Sequence, residues 1–135
     1  MANDKSLKIK AQTPVSVIVH GGNYLGFLLA ETLIKQGSQV IIIDNFTSEA
    51  KKYTNHLKKE GNFTFINFKN AGTFLKDLSR IDYLYYNLKS LLEDKPSLDS
   101  KDFLLETENL NLALKVGQKS KAKISLITSL RLNRE

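Results

Sequence analysis

The stretch from Val15 to Asp44, VSVIVHGGNYLGFLLAETLIKQGSQVIIID, leaves the chain few folds, because it reads as a strand, a glycine turn, a helix and a second strand in unbroken succession. Val15 to Val19 is an apolar run, and Gly21 and Gly22 make a turn. Leu25, Leu28, Leu29, Leu33 and Ile34 then recur at helical spacing and predict one buried face. Gly37 ends the helix, and Val40 to Ile43 forms a β-branched strand that closes on Asp44. Two parallel strands joined by a crossover helix make a unit whose second strand, when it ends in a carboxylate, places that group where the ribose of a bound dinucleotide lies.

In a G-x-G-x-x-G fingerprint each glycine has its own physical task. The string here is Gly21, Gly22, Asn23, Tyr24, Leu25, Gly26. Gly21 is expected to make the tight turn and Gly26 to let the helix pack closely on the strand, while Asn23 holds the middle position, where backbone must approach a pyrophosphate. Asn tolerates a left-handed backbone better than other non-glycine residues, so the turn is expected to survive, with a side chain in space that a phosphate would take. A parallel α/β domain needs glycine in such a turn with or without a ligand. What favours a ligand is Asp44, 18 residues beyond Gly26, near the spacing of about 20 that the fingerprint expects. The candidate cofactor-binding residues are therefore Gly21, Gly22, Asn23, Tyr24, Leu25, Gly26, Asp44, Asn45 and Phe46. NAD is the expected cofactor, since a carboxylate accepts from both ribose hydroxyls and repels a 2′-phosphate. Replacing Asp44 is expected to weaken the ligand and barely change stability.

Beyond Asp44 the alternation continues. Thr47, Ser48 and Glu49 suit a helix start, the basic segment Lys51 to Lys59 continues it, and Gly61 and Asn62 stop it. Phe63 to Phe68 predicts a third strand, Ala71 to Leu78 a short helix, and Asp82 to Tyr86 a fourth strand. Asn87 to Lys101, with Pro96, reads as a loop with a partial helix. Asp99 or Ser100 then caps a long helix to about Lys119, whose stripe is Phe103, Leu104, Leu110, Ala113 and Leu114, and Lys123 to Thr128 is a fifth strand. The expected class is α/β: a Rossmann-like three-layer sandwich with a parallel sheet of five strands, order 3-2-1-4-5, and helices on both faces.

At 135 residues the chain is expected to hold one domain, residues 14–135, behind a polar, basic lead-in over residues 1–13 that reads as disordered. No apolar run approaches the roughly 18 residues of a membrane span, and no signal peptide is evident, so a cytoplasmic location is expected. The absence of cysteine removes disulfides and thiolate chemistry, and two distant histidines, His20 and His56, make a histidine metal site improbable. A formal charge of +6 permits nucleic-acid binding, but the lysines are scattered and no aromatic residues interleave with them, so such a role ranks third.

These residues resemble the extended short-chain dehydrogenase/reductase family, the NAD-dependent nucleotide-sugar epimerases and dehydratases. Ile41 to Phe46, IIIDNF, is similar to the end of that family's second strand; Asp82 to Leu88, DYLYYNL, to its fourth. Asn109 to Gly117, NLNLALKVG, is similar to its following helix, and Ile124 to Leu130, ISLITSL, to its serine-rich fifth strand. The resemblance covers nearly the whole chain and implies the cofactor-binding, amino-terminal part of such a protein, complete or truncated. The departures fall where the family does chemistry. The turn is one residue shorter, and His20 stands where a threonine begins the motif. No aspartate occurs in Asn67 to Gly72, Tyr86 or Asn87 replaces a histidine, and Leu130 takes the place of the catalytic Ser or Thr. The family's Tyr-x-x-x-Lys pair is missing, so hydride transfer has no proton partner and no catalytic residue is assigned. The competing reading is an interaction or regulatory module that has kept the scaffold and lost the cofactor. A sheet that stops at its fifth strand leaves Ile124, Leu126 and Leu130 to be covered, which predicts a homodimer through Ser125 to Leu132, with the helix Asp99 to Lys119 beside it and Arg131 and Arg134 at its rim.

Overall fold

The computed structural model describes residues 13–78, 80–87 and 100–127. Five parallel strands are joined in the order β3-β2-β1-β4-β5, the expected one. They are β1 (Val15–Val19), β2 (Gln39–Asp44), β3 (Phe63–Asn67), β4 (Tyr83–Asn87) and β5 (Lys123–Ile127). The helices between them are α1 (Tyr24–Lys35), α2 (Ser48–Leu57), α3 (Ala71–Asp77) and α4 (Ser100–Lys119). Residues 1–12, 79, 88–99, where a loop with a partial helix is expected, and 128–135, with Leu130, Arg131 and Arg134, lie outside the described residues, as do the side chains of Phe103 and Leu104.

Alternation along the strands sorts the side chains onto two faces. Ile18, Val40 and Ile42 meet Ala30 and Leu33 of α1 and Leu57 of α2 on one side. Val17, Val19, Ile41, Ile43, Leu84 and Tyr86 meet Ala71 and Leu75 of α3 and Ala113 of α4 on the other. Both faces are covered, which is why β2 reads as a continuous apolar run instead of an alternating one. Among the described residues, no helix is long and apolar enough to cross a membrane.

Two local expectations are corrected. The buried face of α1 is Gly26, Ala30 and Leu33, whereas Leu25 is 50% and Leu28 39% exposed. The helix lies close to the sheet through Gly26 and Ala30; of the expected stripe Leu33 is buried and Leu29 and Ile34 pack against the core, while Leu25 and Leu28 overhang it. Phe68 does not extend β3. It enters a short 3₁₀ turn, Phe68–Asn70, and is buried against the second core. At α2, Thr47 is the N-cap as expected, its hydroxyl accepting from Ala50 N at 3.1 Å.

Candidate functional site: the turn at the carboxyl ends of β1 and β2

The chain leaves β1 through His20, which takes the left-handed conformation (φ 61°). The tight turn expected of Gly21 is therefore made by His20, and Gly21 is needed for space. A Cβ on Gly21 would stand 2.6 Å from Ile18 Cγ2. His20 is only 5% exposed, its N–H donating to Ile43 O at 2.8 Å. Its ring lies 4.7 Å from that of Phe68 and edge-on to Tyr86 at 5.3 Å, centroid to centroid. Nδ1 faces Asp44 Oδ1 at 3.9 Å, beyond hydrogen-bond reach but close enough to interact electrostatically. Nothing in the sequence marks His20 as the turn's pivot; its one signal is that it replaces the residue with which the resembled motif begins.

Asn23 is not left-handed. Its backbone is extended (φ −137°, ψ 179°), and it is the N-cap of α1. Its Oδ1 accepts from Gly26 N at 2.9 Å while its Nδ2 donates to His20 O at 3.0 Å, so one side chain ties the helix start to the turn. An Asn directly before a helical pattern is itself a cap signal, and it identifies this role better than the glycine fingerprint does. The amides of Tyr24 and Leu25, the first two of the helix, have no intrahelical acceptor by geometry and sit at the positive end of its dipole. The side chains of both residues are exposed, so what they bring to the site is backbone.

Gly22 packs against the end of β2, where an added Cβ would lie 2.9 Å from Asp44 Oδ2 and 3.2 Å from Ala50 Cβ. Gly22 N instead donates to Asp44 Oδ2 at 2.8 Å, and Asn45 N donates to Oδ1 at 2.7 Å. The carboxylate is thus fixed by two backbone donors, which corrects the expectation that Asp44 matters little for stability. A carboxylate offers about four lone-pair sites; the two still open are what a diol would use. Asn45 and Phe46 follow on an exposed loop, the Phe46 ring resting edge-on against Phe65 at 5.2 Å. Gly21, Gly22, Asn23, Gly26 and Asp44 therefore form one compact group, with Tyr24, Leu25, Asn45 and Phe46 along its exposed margin.

Of the β4 tyrosines, Tyr86 brings its hydroxyl to 3.4 Å from His20 Nε2. The expectation that the Tyr-x-x-x-Lys spacing is missing is corrected by Tyr85 and Lys89, which are four residues apart, although Lys89 lies outside the described residues. Burial, and then the neighbouring Tyr83, raise the phenol pKa of Tyr85, the opposite of what a proton-transferring tyrosine needs. A cleft of about 300 Å³ between α3 and α4, lined by Leu75, Leu78, Lys115, Val116 and Lys119, opens at the opposite end of the sheet and is no part of this group.

No protein-family model matches the sequence, and comparison with curated proteins finds no match. Solved structures do match in fold. A crystal structure of gox2181 superposes with a TM-score of 0.64 at 17% identity, over 91% of this chain and 57% of that one. The UDP-Glc/GlcNAc 4-epimerase of Campylobacter jejuni gives 0.65 at 16%, over 84% and 36%. The Bordetella bronchiseptica enzyme WbmG, in complex with NAD, gives 0.65 at 19%, over 87% and 37%. The chain spans about a third to just over half of the length of these structures. The architecture is the Rossmann-like fold that these structures share.

Proposed function

We propose that residues 14–135 form a cytoplasmic NAD-binding domain, resembling the amino-terminal part of a nucleotide-sugar epimerase or dehydratase and without hydride-transfer activity of its own. The observation that carries this reading is the placement of Asp44: its carboxylate is fixed by Gly22 and Asn45 amides and keeps two acceptor sites, beside a helix start with two open N–H groups. A diol beside a pyrophosphate matches that set of groups. Calorimetric titration with NAD and NADP tests it, with heat from NAD and none from NADP as the expected pattern. No heat from either at millimolar cofactor would leave only the scaffold.

The interaction-module reading has one observation in its favour, since the Asn23 side chain already serves Gly26 N, the third amide of the helix start. Asn23→Gly separates the two. Asn to Gly at an N-cap costs only a few tenths of a kcal/mol of stability, while the freed amide adds a donor for phosphate. NAD affinity is expected to rise severalfold; weaker binding in this variant would mean that Asn23 itself contacts the ligand.

A homodimer completes the proposal. β5 is the terminal strand of the described sheet, and Leu126 on it is 56% exposed, with Ile124 also exposed. A second copy covering this edge would bury both. Light scattering across a concentration series is expected to give twice the chain mass; a monomer at high micromolar concentration excludes the dimer.

A further inference from the structure

We propose that Glu31, His56 and Glu60 form a binding site for a divalent transition-metal ion, zinc being the best fit, on the outer surface where α1 meets the end of α2. The ligand atoms of the three side chains lie within 4.8 Å of one another, and His56 Nε2 stands 3.5 Å from Glu31 Oε2. Tetrahedral zinc with bonds of 2.0–2.1 Å sets its ligands about 3.3–3.5 Å apart. That pair already has this separation, and Glu60, exposed on the short 3₁₀ turn Lys58–Glu60, needs only a rotamer adjustment to complete the set.

The sequence builds the cluster by helical spacing. His56 and Glu60 are four residues apart, in the last turn of α2 and the 3₁₀ turn that continues it, so they share a face. Phe27 and Glu31 are four apart on α1. The Phe27 ring stacks on Tyr53 at 4.6 Å and meets the His56 ring edge-on at 5.4 Å, which holds the imidazole beside Glu31. Glu31 is half-buried, and its carboxylate and that of Glu60 would supply two negative charges to a cation. One imidazole with two carboxylates suits zinc, copper or nickel over magnesium or calcium, and three protein ligands leave a position for water. The exposed Lys52, Lys58 and Lys59 on α2 and its 3₁₀ continuation oppose a cation, so both carboxylates are required. From sequence no metal site is expected, because the two histidines are far apart; the proposed site uses only one of them, with two carboxylates completing the set.

The composition makes the test unusually clean, because the chain has no cysteine and its other histidine, His20, is buried in the glycine turn. Tag-free protein is titrated with zinc chloride by calorimetry, with magnesium chloride as control, and its melting temperature is recorded with and without zinc. The expected result is one equivalent of zinc, no magnesium binding, and a raised melting temperature. His56→Gln and Glu31→Gln are each expected to weaken zinc at least tenfold and to abolish the rise in melting temperature that zinc gives the parent. Cobalt, used as a spectroscopic stand-in, should give a visible band that disappears in His56→Gln. No zinc heat at millimolar concentration, or His56→Gln binding as well as the parent, would reduce the cluster to a surface ion pair and overturn the proposal. NAD affinity plays no part in these readouts.

Discussion

Gly26→Ala is expected to lower stability by on the order of 3–5 kcal/mol and the melting temperature by roughly 10–20 °C. A Cβ at this position would lie 2.2 Å from Gly21 O, 2.4 Å from Gly21 Cα and 2.5 Å from Gly21 C. All three are backbone atoms, so no rotamer change relieves the overlap. Either α1 lifts from the turn, taking Ala30 and Leu33 out of the core, or the turn that Asn23 and Asp44 hold is broken. Gly72 supplies the control, since it too is helical, in α3, but a Cβ there meets only Leu112 Cδ2, at an ordinary 3.6 Å. Gly72→Ala should be neutral or stabilising by about 0.5–1 kcal/mol, the usual helix preference for alanine. Thermal melts of the two variants side by side decide the matter. Equal melting temperatures would mean that α1 is not docked on Gly21 at all.

The contrast between those glycines also shows what was legible in the sequence. A parallel sheet with helices on both faces was legible from the alternation of strand and helix patterns, whereas the order 3-2-1-4-5 is one of several that the alternation permits. Asp44 was legible because its position at a strand end is fixed by the length of a crossover helix. The docking face of α1 was not. Apolar size marks which residues prefer burial, but the face that touches the sheet here is chosen by the absence of size at Gly26 and Ala30, and Leu25 and Leu28 are left at the margin. His20 escaped for a related reason. A left-handed histidine has no compositional signature, and its burial depends on Phe68 and Tyr86, two residues that only the folded chain brings to it. The metal-ligating cluster joins Glu31 to His56 and Glu60 across two helices, and its sequence signal is just a histidine and a glutamate four apart.

Asp44→Ala is expected to lower both cofactor affinity and stability, and the two losses have separate causes. On the ligand side, hydrogen bonds to a charged group contribute about 1.5–3 kcal/mol, which corresponds to roughly a 10- to 150-fold weaker Kd for NAD. On the folding side, the substitution removes the acceptor of Gly22 N, a buried donor at 2.8 Å, and of Asn45 N at 2.7 Å. Leaving a buried donor unmatched costs about 1–3 kcal/mol. Asp44→Asn distinguishes the roles, because it keeps one carbonyl oxygen for the backbone and loses the charge. It should recover part of the stability lost in the alanine variant, since Gly22 N can still find an acceptor. It should also narrow the preference for NAD over NADP, because the repulsion of a 2′-phosphate is gone while one acceptor for a ribose hydroxyl remains. The measurements are thermal melts and calorimetric titrations of both variants with both cofactors. If Asp44→Ala binds NAD as tightly as the parent while its melting temperature falls, the carboxylate serves the turn alone, and the ribose is held elsewhere or not at all.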